Sequence, residues 1–278
     1  MDERHRPATP PNRPPDDTRP EAGARWTRRG LLCALGAGVG LAGCVAGGRS
    51  ASGDGSVHSR RFDVPGAGDP VAVDVPAARY RRVRDAPHSF AATTAAAREW
   101  DRLDRLAARL RRRVPSRAAG IRAAQALVAG IDYATDREST GRAEYVRYPA
   151  ETLVDGEGDC DDKAVLLAGL LASDALDCRT ALLMPERHCS TLAARADLPP
   201  ALLASDPLTV VLGGTEFVYV EAVEAVEPGT TARDYGTRPL LAAYTDRWHV
   251  LDASAIASAA GDELRRRLGN ALPVGRGG

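Results

Sequence analysis

Cys160 is the side chain in this sequence best placed for covalent chemistry. It stands in Gly158-Asp159-Cys160-Asp161-Asp162-Lys163, directly ahead of the apolar run Ala164 to Ala172. Gly156 and Gly158 break the chain, Asp159 is a good N-cap, and the apolar run is long enough for a buried helix. A cysteine at such a helix start meets unpaired backbone N–H groups and the positive end of the helix dipole. Both favour thiolate over thiol, and the same N–H groups can hold an oxyanion at an attacked carbonyl. A thiolate nucleophile needs a base. His188, at the start of a strand soon after the cysteine helix, is the first choice, with His249 second. An acid to orient the imidazole is expected on a neighbouring strand. Glu221, in Phe217-Val218-Tyr219-Val220-Glu221, carries a mid-strand charge that solvation alone does not explain. Asp252, ending Trp248-His249-Val250-Leu251-Asp252, is the alternative.

The remaining reactive groups have simpler readings. Asp159 and Asp161 suit a helix cap and a solvated first turn. Cys178 and Cys189 fall at strand edges, where a disulfide between them would leave Cys160 free. No His/Cys cluster has zinc-ligand spacing, so neither metal nor cofactor is expected.

The elements that must position these groups follow from periodicity. His58 to Val64 and Val71 to Val75 alternate around Pro-Gly-Ala-Gly, as a hairpin does. Trp100, Leu103, Leu106 and Leu110 recur at helical spacing up to Pro115, and Ser116 caps a second helix through Ile131. The arginines at 105, 109, 111, 112 and 113 read as a solvated helix face. Asp136 to Arg142 reads as a loop. After the cysteine helix, Arg179–Met184, His188–Arg195, Leu208–Leu212, Glu216–Val223 and Arg247–Leu251 read as strands, with Gly213-Gly214 as a hairpin turn. Residues 196–207 read as an insertion or short helix. The class expected is α+β, a nucleophile-bearing helix packed on an antiparallel sheet.

The motif Gly158 to Lys163, followed by Leu166-Leu167 and Leu170-Leu171, resembles the nucleophile motif of the transglutaminase-like superfamily. Tyr148-Pro149-Ala150-Glu151-Thr152-Leu153 is similar to the lead-in of its bacterial and archaeal cysteine-peptidase type. The resemblance covers about Ala118 to Glu227. It implies a papain-like core and a catalytic triad of Cys160, His188 and Glu221, with a thioester formed from a peptide or protein amide. Met184-Pro185-Glu186-Arg187-His188 falls where the family has Pro-Gly-His, and Tyr219-Val220-Glu221-Ala222 where its acid-bearing strand ends. Departures are Glu186-Arg187 before the histidine, Cys189-Ser190 after it, and Ala222 in place of a Thr. Trp248 to Ala253 resembles the acid-bearing strand of shorter members, which keeps Asp252 open.

The N-terminal quarter reads differently. Residues 1–25 are rich in Pro, Asp and Arg and lack apolar periodicity. Trp26-Thr27-Arg28-Arg29-Gly30-Leu31-Leu32, then a Gly/Ala-rich run to Leu41-Ala42-Gly43-Cys44, has the basic-then-apolar pattern of an export signal. Arg28-Arg29 resembles a twin-arginine signal, and Leu41 to Cys44 a lipoprotein processing site that leaves Cys44 lipidated. The expected organisation is 1–44 disordered segment plus signal, 45–57 flexible tether, 58–265 catalytic domain and 266–278 disordered tail. The domain would then work at the outer face of the cytoplasmic membrane, held there by its lipid. Basic and acidic residues balance at 37 each, which argues against a nucleic-acid partner. Two functions fit: an extracytoplasmic cysteine hydrolase or acyl-transferase, and an idle module of the same fold that binds peptides or wall polymers.

Overall fold

The computed structural model describes residues 55–185, 188–233, 241–244, 248–251 and 256–257. The export signal, Cys44, Asp252 and the 266–278 tail lie outside the described residues. The chain opens with strands β1 (Val57–Phe62) and β2 (Val71–Pro76), paired antiparallel from Val57↔Pro76 to Phe62↔Val71. Four helices follow: α1 (Ala77–Arg84), α2 (Phe90–Glu99), α3 (Asp101–Arg112) and α4 (Arg117–Ala129). A two-residue strand β3 (Asp132–Tyr133), the single turn α5 (Asp136–Ser139), α6 (Pro149–Asp155) and the two-residue β4 (Glu157–Gly158) lead to α7 (Cys160–Leu171). Then come β5 (Thr180–Met184), β6 (Ser190–Ala194), β7 (Thr209–Leu212), β8 (Thr215–Val220), β9 (Leu241–Tyr244), β10 (Trp248–Leu251) and β11 (Ile256–Ala257).

These last seven strands form one sheet in the order β10-β9-β5-β6-β8-β7-β11, antiparallel at every pairing. After the opening hairpin, helices thus precede the large antiparallel sheet, an α+β arrangement as the sequence predicts. The period of two shows directly. Leu182, Ala193, Val218 and Val220 join the main core, while Ala181, Leu183, Leu192, Phe217 and Tyr219 form a second apolar cluster on the other face.

The centre of the main core is α7. Its run Ala164-Val165-Leu166-Leu167-Ala168-Gly169-Leu170-Leu171 is apolar all round, and a helix of that kind must be covered on every side. Here α2, α3, α4 and α6 cover part of it and β5 and β6 the rest; every residue from Asp161 to Leu171 is buried. The Thr191 hydroxyl donates to the Ala164 carbonyl at 2.9 Å, fixing β6 along the first two turns of α7. Around Gly169 the helices approach most closely. A Cβ there would lie 2.8 Å from Leu103 Cδ1, 3.0 Å from Ala97 Cβ and 3.2 Å from the Ala97 carbonyl.

Two sequence expectations change. The arginines of α3 are not simply solvated. Arg102 and Arg109 donate to the carbonyls of Asp74 and Ala72 on β2, and Arg113, just past the helix, to that of Asp69 ahead of the strand, whereas Arg105 and Arg112 are exposed. Arg111 donates to the Val114 carbonyl. The Asp136 to Arg142 segment begins with a helical turn, held by a Thr135/Glu138 capping box. Among the described residues no helix is long and apolar enough to cross a membrane.

Gly169→Val would force branched carbons into the contacts of α7 with α2 and α3. The expected cost is about 2–3 kcal/mol, read as a lower urea midpoint with an unchanged slope. A midpoint equal to wild type would show that the close approach of the helices is not required.

Candidate active site

The nucleophile's position is built by the loop ahead of it. Asp159, in extended backbone, caps α7: its Oδ1 accepts from the Asp161 N–H at 3.2 Å, and Asp162 Oδ2 reaches back to the Asp159 N–H at 3.2 Å. This return requires Gly158, where a Cβ would sit 2.9 Å from both Cβ and Oδ2 of Asp162. Asp162 is also gripped from outside the helix. Its Oδ1 accepts from the Arg147 N–H at 2.5 Å, and Arg147 Nε lies 3.2 Å from Oδ2. Arg147, 3% exposed, further pairs with Asp155 and Glu157, so one guanidinium joins the end of α6, β4 and the first turn of α7.

Lys163, the only lysine in the chain, is fully buried. Its Nζ donates to the carbonyls of Ile131 at 2.5 Å and Ala129 at 3.4 Å, at the C-terminal end of α4, where a cation suits the helix dipole. Burial lowers its pKa. The strand that follows, β3, pairs in parallel with β4, Tyr133 opposite Gly158. Backbone bonds Asp132 N–H to Gly156 and Ala134 N–H to Gly158 hold it there. Nucleophile loop and β3 are therefore one unit.

Cys160 itself is half-buried at the mouth of this unit. The backbone N–H groups of Cys189 and of Cys160 lie against its sulfur, and the Tyr133 hydroxyl faces it as a weak hydrogen-bond partner. The sequence expectation of a depressed thiol pKa is overturned. Burial, with the charges of Asp159 and Asp161 added, pushes the Cys160 thiol up to about 12. Three pH units above the ordinary value correspond to about 4 kcal/mol, against at most about 2 kcal/mol from a helix terminus. The resting group is a thiol.

The proposed base and acid come together on the sheet side. His188, 6% exposed, sits between β5 and β6, its N–H bonded to the Pro185 carbonyl at 3.3 Å. Its Nε2 lies 3.1 Å from Glu221 Oε1, both side chains buried. Glu221, fully buried, accepts from every side. Oε1 takes the N–H groups of Ala222 at 2.9 Å and Val223 at 3.1 Å, and Oε2 takes the Tyr219 hydroxyl at 2.7 Å. Burial alone would raise this carboxyl. The hydrogen bond and charge of His188, then the Tyr219 and Val223 donors, outweigh burial and hold it down to about 2. Gln125 of α4 ties the Glu221 carbonyl to the helical layer at 3.0 Å.

The alternatives fall elsewhere. The backbone of His249 is on β10, separated from β6 by β9 and β5. Asp252 lies outside the described residues. His88 packs on Tyr145 and bonds the Val146 carbonyl. Cys178 and Cys189 are free buried thiols, not a disulfide. Adjacent residues thus serve the site from one loop: His188 supplies an imidazole and Cys189 a backbone N–H.

Carboxyls crowd the first turn. Oxygens of Asp136, Asp159 and Asp162 lie within 4.8 Å of one another, a spacing that a cation could bridge. Asp162 is already engaged by Arg147 and the Asp159 N–H, and Asp136 Oδ2 accepts the Tyr145 N–H at 2.6 Å, so the group serves as a cap. Burial, with Asp159 hydrogen-bonded to it and Asp162 alongside, pushes Asp161 up to about 10. It is a neutral acid at pH 7, not the solvated carboxylate the sequence suggests. In comparisons with protein-family models and with curated proteins, no match to this sequence is found.

The Asp161 and Glu221 shifts have opposite signs. Glu221, held low, contributes stability above pH ~4.5 that is lost as pH falls toward 2. Asp161, held high, binds a proton in the folded state that the unfolded chain releases near pH ~4, so stability falls from there toward pH 10. Asp161→Asn is expected to flatten that alkaline decline and raise Tm at pH 8 by about 5 °C, roughly 2 kcal/mol. Parallel declines in the variant and wild type, followed by thermal melts from pH 4 to 10, would show that Asp161 ionises freely.

Proposed function

We propose that this protein is a transglutaminase-like cysteine enzyme with a papain-like core, acting on peptide or protein amides through Cys160, His188 and Glu221. The observation that carries the proposal is the buried His188–Glu221 pair at 3.1 Å, in a loop whose next residue, Cys189, turns its N–H toward Cys160 at the start of a buried helix. A glutamate sealed from water, held by backbone and Tyr219 donors and turned toward one imidazole, is costly unless that imidazole has work to do. With Nε2 held by Glu221, Nδ1 is the ring nitrogen that takes the thiol proton. The sulfur then adds to the amide carbonyl, and the tetrahedral adduct collapses as His188 returns the proton to the departing amine. The thioester passes to water, giving hydrolysis, or to an amine, giving transfer. A thiol held near 12 is deprotonated by His188 during attack, not before it.

Export by the Arg28-Arg29 signal and lipidation at Cys44 are part of the same proposal. They would place the amide chemistry at the outer face of the cytoplasmic membrane, on peptide or protein substrates there.

The high thiol pKa also favours a second reading, an idle module that binds peptides or wall polymers with this fold. Alkylation separates the two. For an enzyme, iodoacetamide at pH 9 should label Cys160 at least ~10-fold faster than Cys178 or Cys189, with His188→Ala slowing Cys160 by about 10²-fold. A glutamine-containing peptide with hydroxylamine should then yield the hydroxamate. Equal labelling of the three thiols, indifferent to His188, would leave the binding module.

A further inference from the structure

Tyr133 is out of place for a structural tyrosine. It is 58% exposed, one of three large apolar side chains that stand out among the described residues, yet its backbone is clamped to the nucleophile loop. Strand β3 contains only Asp132 and Tyr133, and its parallel pairing brings Tyr133 opposite Gly158, two residues before Cys160. The approach to β3 is fixed from below. Lys163, one turn along α7 from Cys160, bonds the Ile131 carbonyl and lies 5.9 Å from the Tyr133 ring centroid. The ring edge is thus set, and the hydroxyl faces the Cys160 sulfur. Burial of the hydroxyl, with Cys160, Asp159 and Asp161 nearby, pushes that phenol up to about 12, so it keeps its proton wherever the enzyme would work.

We propose that Tyr133 is a catalytic residue whose hydroxyl donates a hydrogen bond to the carbonyl oxygen of the acyl group attacked by Cys160, while its exposed ring walls the acyl cleft. The assignment rests on Cys160 being the nucleophile. When the sulfur bonds to the carbonyl carbon, the C=O π pair moves onto oxygen and the thiol proton onto His188 Nδ1. The new oxyanion is bonded to the carbon that the sulfur has just joined, so a donor facing the sulfur in the free enzyme is within reach of it. The surroundings make this donor necessary. Asp159 flanks the sulfur with negative charge, and the backbone N–H groups of Cys160 and Cys189 are the other donors directed there. When the oxyanion collapses, C=O re-forms and the leaving group departs with its electron pair, taking the proton from His188 if it is an amine.

Two reagents separate this role from a structural one. Iodoacetamide alkylates the sulfur without forming an oxyanion, whereas p-nitrophenyl acetate acylates it through one. Tyr133→Phe is expected to slow the p-nitrophenolate burst by about 10- to 100-fold while changing iodoacetamide labelling of Cys160 by less than ~2-fold. The unchanged alkylation rate also certifies the fold of the variant. Equal slowing with both reagents would mean that Tyr133 only sets thiol reactivity or geometry, and no slowing with either would mean that it is a bystander; each overturns the proposal with the nucleophile intact. A wild-type protein whose Cys160 reacts with neither reagent would remove the nucleophile, and the oxyanion donor with it.

Discussion

Everything in this domain is arranged around a helix that water cannot reach. From Ala164 to Leu171, α7 has no polar face to turn outward, so the chain must supply helices on one side and a sheet on the other. Burial on that scale creates a problem at the first turn, where a helix exposes unpaired N–H groups and this one carries Asp161, Asp162 and Lys163. Each is settled by a long-range bond or by a proton. Arg147 and the Asp159 N–H hold Asp162, the end of α4 receives Lys163, and Asp161 keeps its proton. Cys160 is the first residue of the helix and the one left only half-buried. The site is where the buried helix surfaces.

The same constraint explains why the thiol is not pre-ionised. Helix-start cysteines are activated when the terminus is surrounded by donors and cations. Here the capping residues are carboxylic, because they must satisfy N–H groups of a buried turn, and each carboxylate that caps the helix opposes a thiolate beside it. Lys163 points its charge away, toward α4. The balancing charge is on the sheet side, where Glu221 can stabilise an imidazolium at His188 in a water-excluded setting. Under the proposed function, the histidine–acid pair would supply the driving force, and the thiol would gain charge only as a carbonyl arrives.

Much of this was legible from residue types. Asp159 as cap, the helix from Cys160 and the Gly213-Gly214 hairpin follow from local patterns, because cap chemistry and period-two alternation act within a few residues. The strands at 190–194 and 215–220 follow too, but His188 falls in the loop before β6 and Glu221 just past the end of β8, not within strands as the alternation suggests. What stayed hidden was long-range. The exposure of Tyr133 depends on a two-residue parallel pairing that no propensity announces. Arg109 and Arg113 read as solvated until β2 and the residues ahead of it are laid beside α3. The thiol pKa went the other way for the same reason: helix position is local and readable, whereas burial is tertiary and outweighs it.

The sheet side also accounts for a departure of the sequence from the family it resembles. Ala222 follows the acid where a hydroxyl-bearing residue is common, which would leave the carboxylate short of a partner if side chains were its only support. Here the chain turns just after β8 so that the N–H groups of Ala222 and Val223 both point back at Glu221 Oε1, and Tyr219 closes Oε2 from two residues upstream. The backbone supplies what a side chain at 222 would have given. Cys189 fits the same logic in the loop before β6, contributing an N–H toward the Cys160 sulfur, a role indifferent to its side chain. Substitutions at these two positions leave the donors in place, provided the turn after β8 and the entry to β6 keep their course. The identity of the flanking residues is therefore a weak guide to whether the Glu221 carboxylate is fully held, and the path of the backbone a strong one.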